Sequence, residues 1–156
     1  MENAHSMQNY SMIKLLLIYL SLSSCSGVVT KVKDGDTIVI DGYMTIRIAE
    51  IDAPEKGQLF GYESKDYLES IILGKKITYK EYTVDDYGRH ICRIYLNDTN
   101  IGDKMVKEGY AWAYDYFAIT NDIIMYQREA RYKKVGMWQY QNNIKPSTYR
   151  RQHKNN

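Results

Sequence analysis

An α+β fold that is mainly β is predicted for this chain, on three observations. Two Asp-Gly pairs, Asp34-Gly35 and Asp41-Gly42, are flanked by β-branched residues, a strong hairpin signal. Two later stretches, Lys75 to Val84 and Ile91 to Leu96, alternate apolar and polar residues in the manner of strands. Segments with helical spacing lie between and after them. At 156 residues, with 44% apolar and 26% charged side chains, the chain suits one globular domain with a core of its own.

Taken in order, residues 1–26 read as a leader rather than as part of the fold. Lys14 precedes an apolar run of about eight residues and then small residues, which is signal-peptide grammar and too short to span a membrane. Leu22-Ser23-Ser24-Cys25 resembles the lipobox of bacterial lipoproteins, so lipidation of Cys25 and export, either anchored to a membrane or secreted, are the expectations. A buried N-terminal helix or an ordinary cleaved signal is the rival. Translation from Met12 would give a compact signal, with Met1 and Met7 as the other starts.

Residues 27–140 are expected to be the folded domain. Val28, Val29 and Val32 lead into Asp34-Gly35. Thr37 to Ile40 follows, and Asp41-Gly42 turns the chain into Tyr43 to Ile48, so 27–50 reads as a three-stranded meander. Tyr67, Leu68, Ile71 and Ile72 recur at helical spacing within Tyr62 to Leu73, and Gly74 is a natural stop. Cys92 falls on the apolar face of the last strand and reads as a small core residue. Asn100 is a candidate N-cap for a helix over Ile101 to Glu108, and Thr120 or Asn121 for one running to about Lys134. Trp138 is expected to fold back on the domain. Residues 141–156 are polar and basic without an apolar period, and a frayed tail is expected. Meander, helix, two strands and then helices is compatible with a five-stranded OB-type barrel, one candidate among α+β topologies; such barrels bind nucleic acids or sugars.

Composition narrows the chemistry. A net charge of +2 permits a polyanionic partner without announcing one, since any recognition patch would have to be local. Two cysteines and three histidines, with no CxxC and no HExxH, argue against structural zinc and a disulfide framework. The 16 tyrosines against 2 phenylalanines suit half-wet strands and stacking platforms. An EF-hand starting at Asp34 fails, because its sixth position is Val39 and its twelfth Thr45. The carboxylates Asp36, Asp52 and Glu55 must instead converge from separate strand ends, with Arg47 and Arg89 near them. Carboxylates beside paired arginines suggest a hard metal ion and a phosphate substrate.

Three motifs in order, Val29 to Thr37, Arg47 to Glu55 and Asp85 to Arg89, closely resemble the staphylococcal nuclease (thermonuclease) family. The likeness covers roughly residues 28–138 and includes Gly61 to Ser64 and Met105 to Ala111. It implies a five-stranded OB-fold barrel with three helices and a Ca²⁺-dependent endonuclease. Such an enzyme hydrolyses DNA and RNA, single-stranded or locally open, with little sequence specificity and leaves 3′-phosphates. By position, Asp36, Asp52 and the Ala53 carbonyl would hold Ca²⁺, Glu55 would be the general base, and Arg47 and Arg89 would grip the phosphate. Tyr114 and Tyr116 match, with a one-residue gap, a tyrosine pair lining the nucleotide pocket; packing is their rival role. Tyr87 either packs in its turn or touches substrate. Asp34 is read as a turn residue. Ala53 replaces a threonine of the best-known member, which a backbone ligand tolerates, and the Lys56 to Gly61 loop is shorter than in that member. A monomer is expected. The alternative is a catalytically silent OB module that only binds nucleic acid or protein, but such modules usually lack one or more of these five side chains.

Overall fold

The computed structural model describes residues 25–114 and 121–154. Residues 1–24 of the expected leader (1–26) and Tyr116 lie outside the described residues, while Cys25 and Ser26 belong to the first strand. The meander forms as its turn chemistry dictates. Strand β1 (Cys25–Val32) pairs antiparallel with β2 (Thr37–Ile40), and β2 with β3 (Met44–Ile48). The β2–β3 turn places Asp41 at φ 51° and Gly42 at φ 82°, the two left-handed positions that Asp-Gly adopts at little cost.

Strand β4 (Ile51–Asp52) is followed by helix α1 (Gly61–Ile72), then by β5 (Lys76–Val84) and β6 (His90–Leu96). β5 pairs antiparallel with both β1 and β6, and β6 returns to run parallel to β3, with Arg47 opposite Ile91. That last pairing closes a five-stranded barrel (β1, β2, β3, β5, β6), the OB arrangement expected from the sequence. Leu68 and Ile72 of α1 are fully buried among Val29, Ile38, Ile46, Ile77 and Ile94, each contributing on the order of 1.5–3 kcal/mol of hydrophobic stabilisation. Cys92 is in this core, and burial pushes its thiol pKa up to about 12.

Short strand β7 (Thr99–Asn100) leads into α2 (Ile101–Lys107), where the Asn100 side chain accepts from the Asp103 N–H at 3.2 Å as the expected cap. Strand β8 (Trp112–Ala113) pairs antiparallel with β4, setting Trp112 opposite Asp52. Helix α3 (Asn121–Tyr132) and a 3₁₀ turn (Gly136–Gln139) follow. Trp138 does fold back, packing edge-on to Trp112 at 4.5 Å between ring centroids, and the Arg131 guanidinium lies 4.7 and 4.3 Å from the two rings.

One feature departs from expectation, and a second was not anticipated. The basic end of the chain is not frayed: Pro146–His153 forms a helix, α4, giving four α-helices among the described residues instead of three. Pro146 opens it at a position where a missing N–H costs nothing. Second, Glu50 is 1% exposed and pairs with Arg93 of β6, its backbone at φ 69°. This ion pair bolts the β3–β4 corner to the barrel wall.

Candidate active site

The first two carboxylates come from separate strands: Asp36 precedes β2 in the barrel sheet, whereas Asp52 ends β4, which pairs with β8 and not with β2. Asp36 opens β2 after a bend in which its own N–H donates to Asp34 Oδ1 at 3.0 Å, so Asp34 shapes the turn as expected. The Asp36 carboxylate is buried. Its Oδ1 accepts from Thr37 Oγ1 at 3.0 Å, and its Oδ2 from the Ala53 N–H at 2.9 Å. Asp52 closes β4, with 3% exposure. A single nitrogen, Nη2 of Arg47, lies 3.5 Å from Asp36 Oδ2 and 3.2 Å from Asp52 Oδ1, which brings the two carboxylates side by side.

Arg47 is itself held from below. Its Nη1 donates to the carbonyls of Ile48 (3.2 Å) and Ile51 (3.1 Å), so the β3–β4 corner grips the guanidinium by its backbone. The Tyr114 ring lies 5.4 Å from the Arg47 guanidinium carbon. Tyr114 is in turn aimed by its N–H, which donates to the Glu50 carbonyl at 2.7 Å.

Arg89 arrives from the β5–β6 turn. Asp85 accepts from the Arg89 N–H (2.9 Å), Nε (2.8 Å) and Nη2 (2.8 Å), and from the Tyr87 N–H (3.0 Å). Burial pulls the Asp85 pKa up, but the bonds from the Arg89 backbone and side chain outweigh it and hold the carboxyl below its usual value. The exposed Tyr87 ring stacks 5.5 Å from the Arg89 guanidinium carbon.

These residues face one open cavity of about 620 Å³, whose walls include Asp36, Arg47, Ala53, Glu55, Arg89 and Tyr114. Asp34 and Tyr87 also line it. Burial, and then the neighbouring Asp36 charge, push the Asp34 pKa up to about 6. Burial likewise raises Asp52, opposed by Arg150 and reinforced by Asp36. Crowded, partly desolvated carboxylates are a place where an added cation is favoured.

The donor set is all oxygen and fits a hard cation such as Ca²⁺. Among the described residues, no three His, Cys, Asp or Glu groups cluster closely enough to form a metal nest unaided. Asp36, Asp52 and the Ala53 carbonyl would therefore supply part of the six to eight oxygens that Ca²⁺ takes, with water completing the shell.

Sequence reasoning missed two residues. Arg150 of α4 reaches across the cavity. Its Nη1 and Nη2 meet Asp52 Oδ1 and Oδ2 at 3.1 Å each, and its Nη1 meets Glu55 Oε1 at 2.5 Å. Gln58 is buried in the loop after Glu55: it accepts from the Glu55 N–H at 3.1 Å and donates to the Ile144 carbonyl at 2.7 Å. Arg150 lay in a segment without an apolar period, and an isolated Gln in a loop carries no pattern. The short Lys56 to Gly61 loop and the basic terminus are thus one structure, and neither segment alone announces it.

An OB barrel thus gathers paired acids and paired arginines at a single site. The family model described as "Staphylococcal nuclease homologue" matches residues 45–140. An "Uncharacterized endonuclease" of Haemophilus influenzae is 38% identical over 91% of this chain and 85% of its own length. A "Micrococcal nuclease" of Shigella flexneri is 38% identical over 83% of this chain and 82% of its own. The "Staphylococcal-like nuclease CAN1" of Arabidopsis thaliana is 36% identical over 68% of this chain and 33% of its own length. The chain belongs to the staphylococcal nuclease homologue family.

Proposed function

We propose that this protein is a Ca²⁺-dependent endonuclease that hydrolyses phosphodiester bonds of DNA and RNA with little sequence specificity and leaves 3′-phosphates. The observation that carries the reading is the convergence of Asp36, Arg47, Glu55 and Arg89 on one cavity, with Asp52 set beside Asp36 by their shared Arg47 nitrogen. A phosphodiester is already anionic and repels hydroxide unless its charge is neutralised. Arg47 and Arg89 are positioned to hold its oxygens in a forked grip that strengthens as charge builds in the transition state. Glu55 would take the proton of the attacking water; its carboxylate stands at the cavity rim, on a loop fixed by Pro54 and Gln58. Ca²⁺ held by Asp36, Asp52 and the Ala53 carbonyl would supply Lewis-acid polarisation of the phosphoryl oxygen.

Tyr87 and Tyr114 at the cavity wall are suited to stack on bases, as the sequence assignment to Tyr116 also supposes, and stacking tolerates any base. Substrate that is single-stranded or locally open would present such bases. Export, with or without a lipid at Cys25, belongs to the same reading. The test is incubation of purified protein with single-stranded DNA and with RNA, in Ca²⁺ or in excess chelator. Cleavage in Ca²⁺ alone is expected. Glu55→Gln and Arg89→Ala should each lower turnover by roughly two orders of magnitude or more with an unchanged circular dichroism spectrum. Binding without cleavage in Ca²⁺ would return the silent module instead.

A further inference from the structure

Arg150 occupies the two carboxylates on which the proposed reaction depends. Its guanidinium is bidentate on Asp52 and reaches Glu55 as well. A carboxylate offers about four lone-pair positions, two on each oxygen. Asp52 Oδ1 already accepts from both Arg47 and Arg150, so it is saturated, and Oδ2 accepts from Arg150. A divalent cation taking Asp52 as ligand must displace a guanidinium from Oδ1, or bind Oδ2 hard against the positive charge of Arg150. Of the two arginines, Arg47 is the fixed one: its side chain is 12% exposed and two backbone carbonyls hold it, whereas the Arg150 side chain is 44% exposed.

We propose that Arg150 is a built-in counter-cation for Asp52 and Glu55 and that Ca²⁺ and Arg150 compete for Asp52. The C-terminal helix then acts as a latch on the site. It keeps both carboxylates neutralised by the chain's own charge until the metal replaces it. The tethers upstream of Arg150 allow this exchange without loss of the helix. Gln58 holds the Ile144 carbonyl, and the Tyr149 hydroxyl lies 2.9 Å from where a side chain on Gly57 would begin, so the segment remains docked while the Arg150 side chain swings away.

The inference rests on the reading of Asp52 as a calcium ligand. Its test is calorimetric titration of the full chain with Ca²⁺, without nucleic acid, for wild type, Arg150→Ala, Arg150→Gln and Arg151→Ala. Arg151 is exposed on the same helix and controls for the simple loss of one positive charge. Both Arg150 variants are expected to bind Ca²⁺ roughly three- to tenfold more tightly than wild type, with Arg151→Ala close to wild type. Measurable but equal affinity in wild type and the Arg150 variants, or weaker binding in the latter, overturns the latch and leaves the calcium assignment standing. No binding in any of the proteins overturns both.

Discussion

Replacing Arg93 with methionine should expose how much the corner beneath the site depends on one buried pair. Glu50 is 1% exposed and takes two bonds from Arg93, from Nε at 2.9 Å and from Nη2. With Arg93 gone, the carboxylate is left charged in an apolar setting or takes up a proton. Protonation sets the ceiling on the cost. An ordinary glutamate titrates near 4.3, so carrying it neutral at pH 7 costs about 3.7 kcal/mol, at about 1.36 kcal/mol per pH unit. The Arg93 side chain is 18% exposed, so water entering the vacated space lowers this. A loss of roughly 2–3.5 kcal/mol at pH 7 is expected, in line with breaking buried pairs generally. The sign with pH is fixed as well. The penalty is that of an unpaired buried carboxylate, so it is largest at high pH and fades as pH falls toward the range in which an unfolded glutamate takes up its proton. At pH 5 the ceiling shrinks to about 1 kcal/mol. Urea unfolding of both proteins at pH 7 and pH 5 reads this directly. The double variant Glu50→Met/Arg93→Met should recover most of the loss, because apolar replacement of both partners removes the stranded charge. A deficit under about 1 kcal/mol at pH 7, or one that persists undiminished at pH 5, would refute the argument.

Three further outcomes follow from the geometry. A Cβ on Gly61 would lie 2.0 Å from the Glu55 carbonyl oxygen, so Gly61→Ala must shift the Glu55 backbone. Turnover should fall roughly tenfold to a hundredfold, and activity within twofold of wild type would show that the backbone of Glu55 is not critical. Asp85→Asn removes the charge that anchors Arg89 and should raise KM for single-stranded DNA with little change in the unfolding midpoint. Since the Asp85 pKa is held below 3.8, its grip is complete above that value and fades only as pH falls below it. Cys92, buried and with its thiol pKa pushed up to about 12, should resist a thiol-specific chromophore at pH 8 and react once the protein is unfolded in urea. Fast labelling of Cys92 in the folded protein would contradict its burial.

The parts of this molecule readable in the sequence are those whose cause is local. Asp41-Gly42 specifies its turn by backbone preference, so the meander could be laid out residue by residue. Asn100 announced its helix through a side chain that caps three residues ahead. The rest depends on partners far along the chain. Asp36 and Asp52 do come together, but not as ends of adjacent strands: Asp52 is set by β4, whose pairing with β8 spans some sixty residues and has no local signal. Nothing local to Glu50 points to Arg93 on another strand. Helix α4 has one buried residue, Pro146, and no apolar stripe. It is held by Gln58 on the Ile144 carbonyl and by Arg150 on Asp52, contacts that span 86 and 98 residues.

The parallel seam between β3 and β6 has a kinetic consequence. Arg47 lies opposite Ile91 in that seam, two residues from Arg89, so the two arginines become neighbours only when the barrel shuts. A folding chain that has completed its meander already carries Asp36 and Arg47 in order, yet has no second arginine beside them. Long-range closures of this kind come late, after the loop entropy has been overcome. On the proposed function, recovery of phosphate binding during refolding would therefore report the final closure of the barrel, not the appearance of its strands.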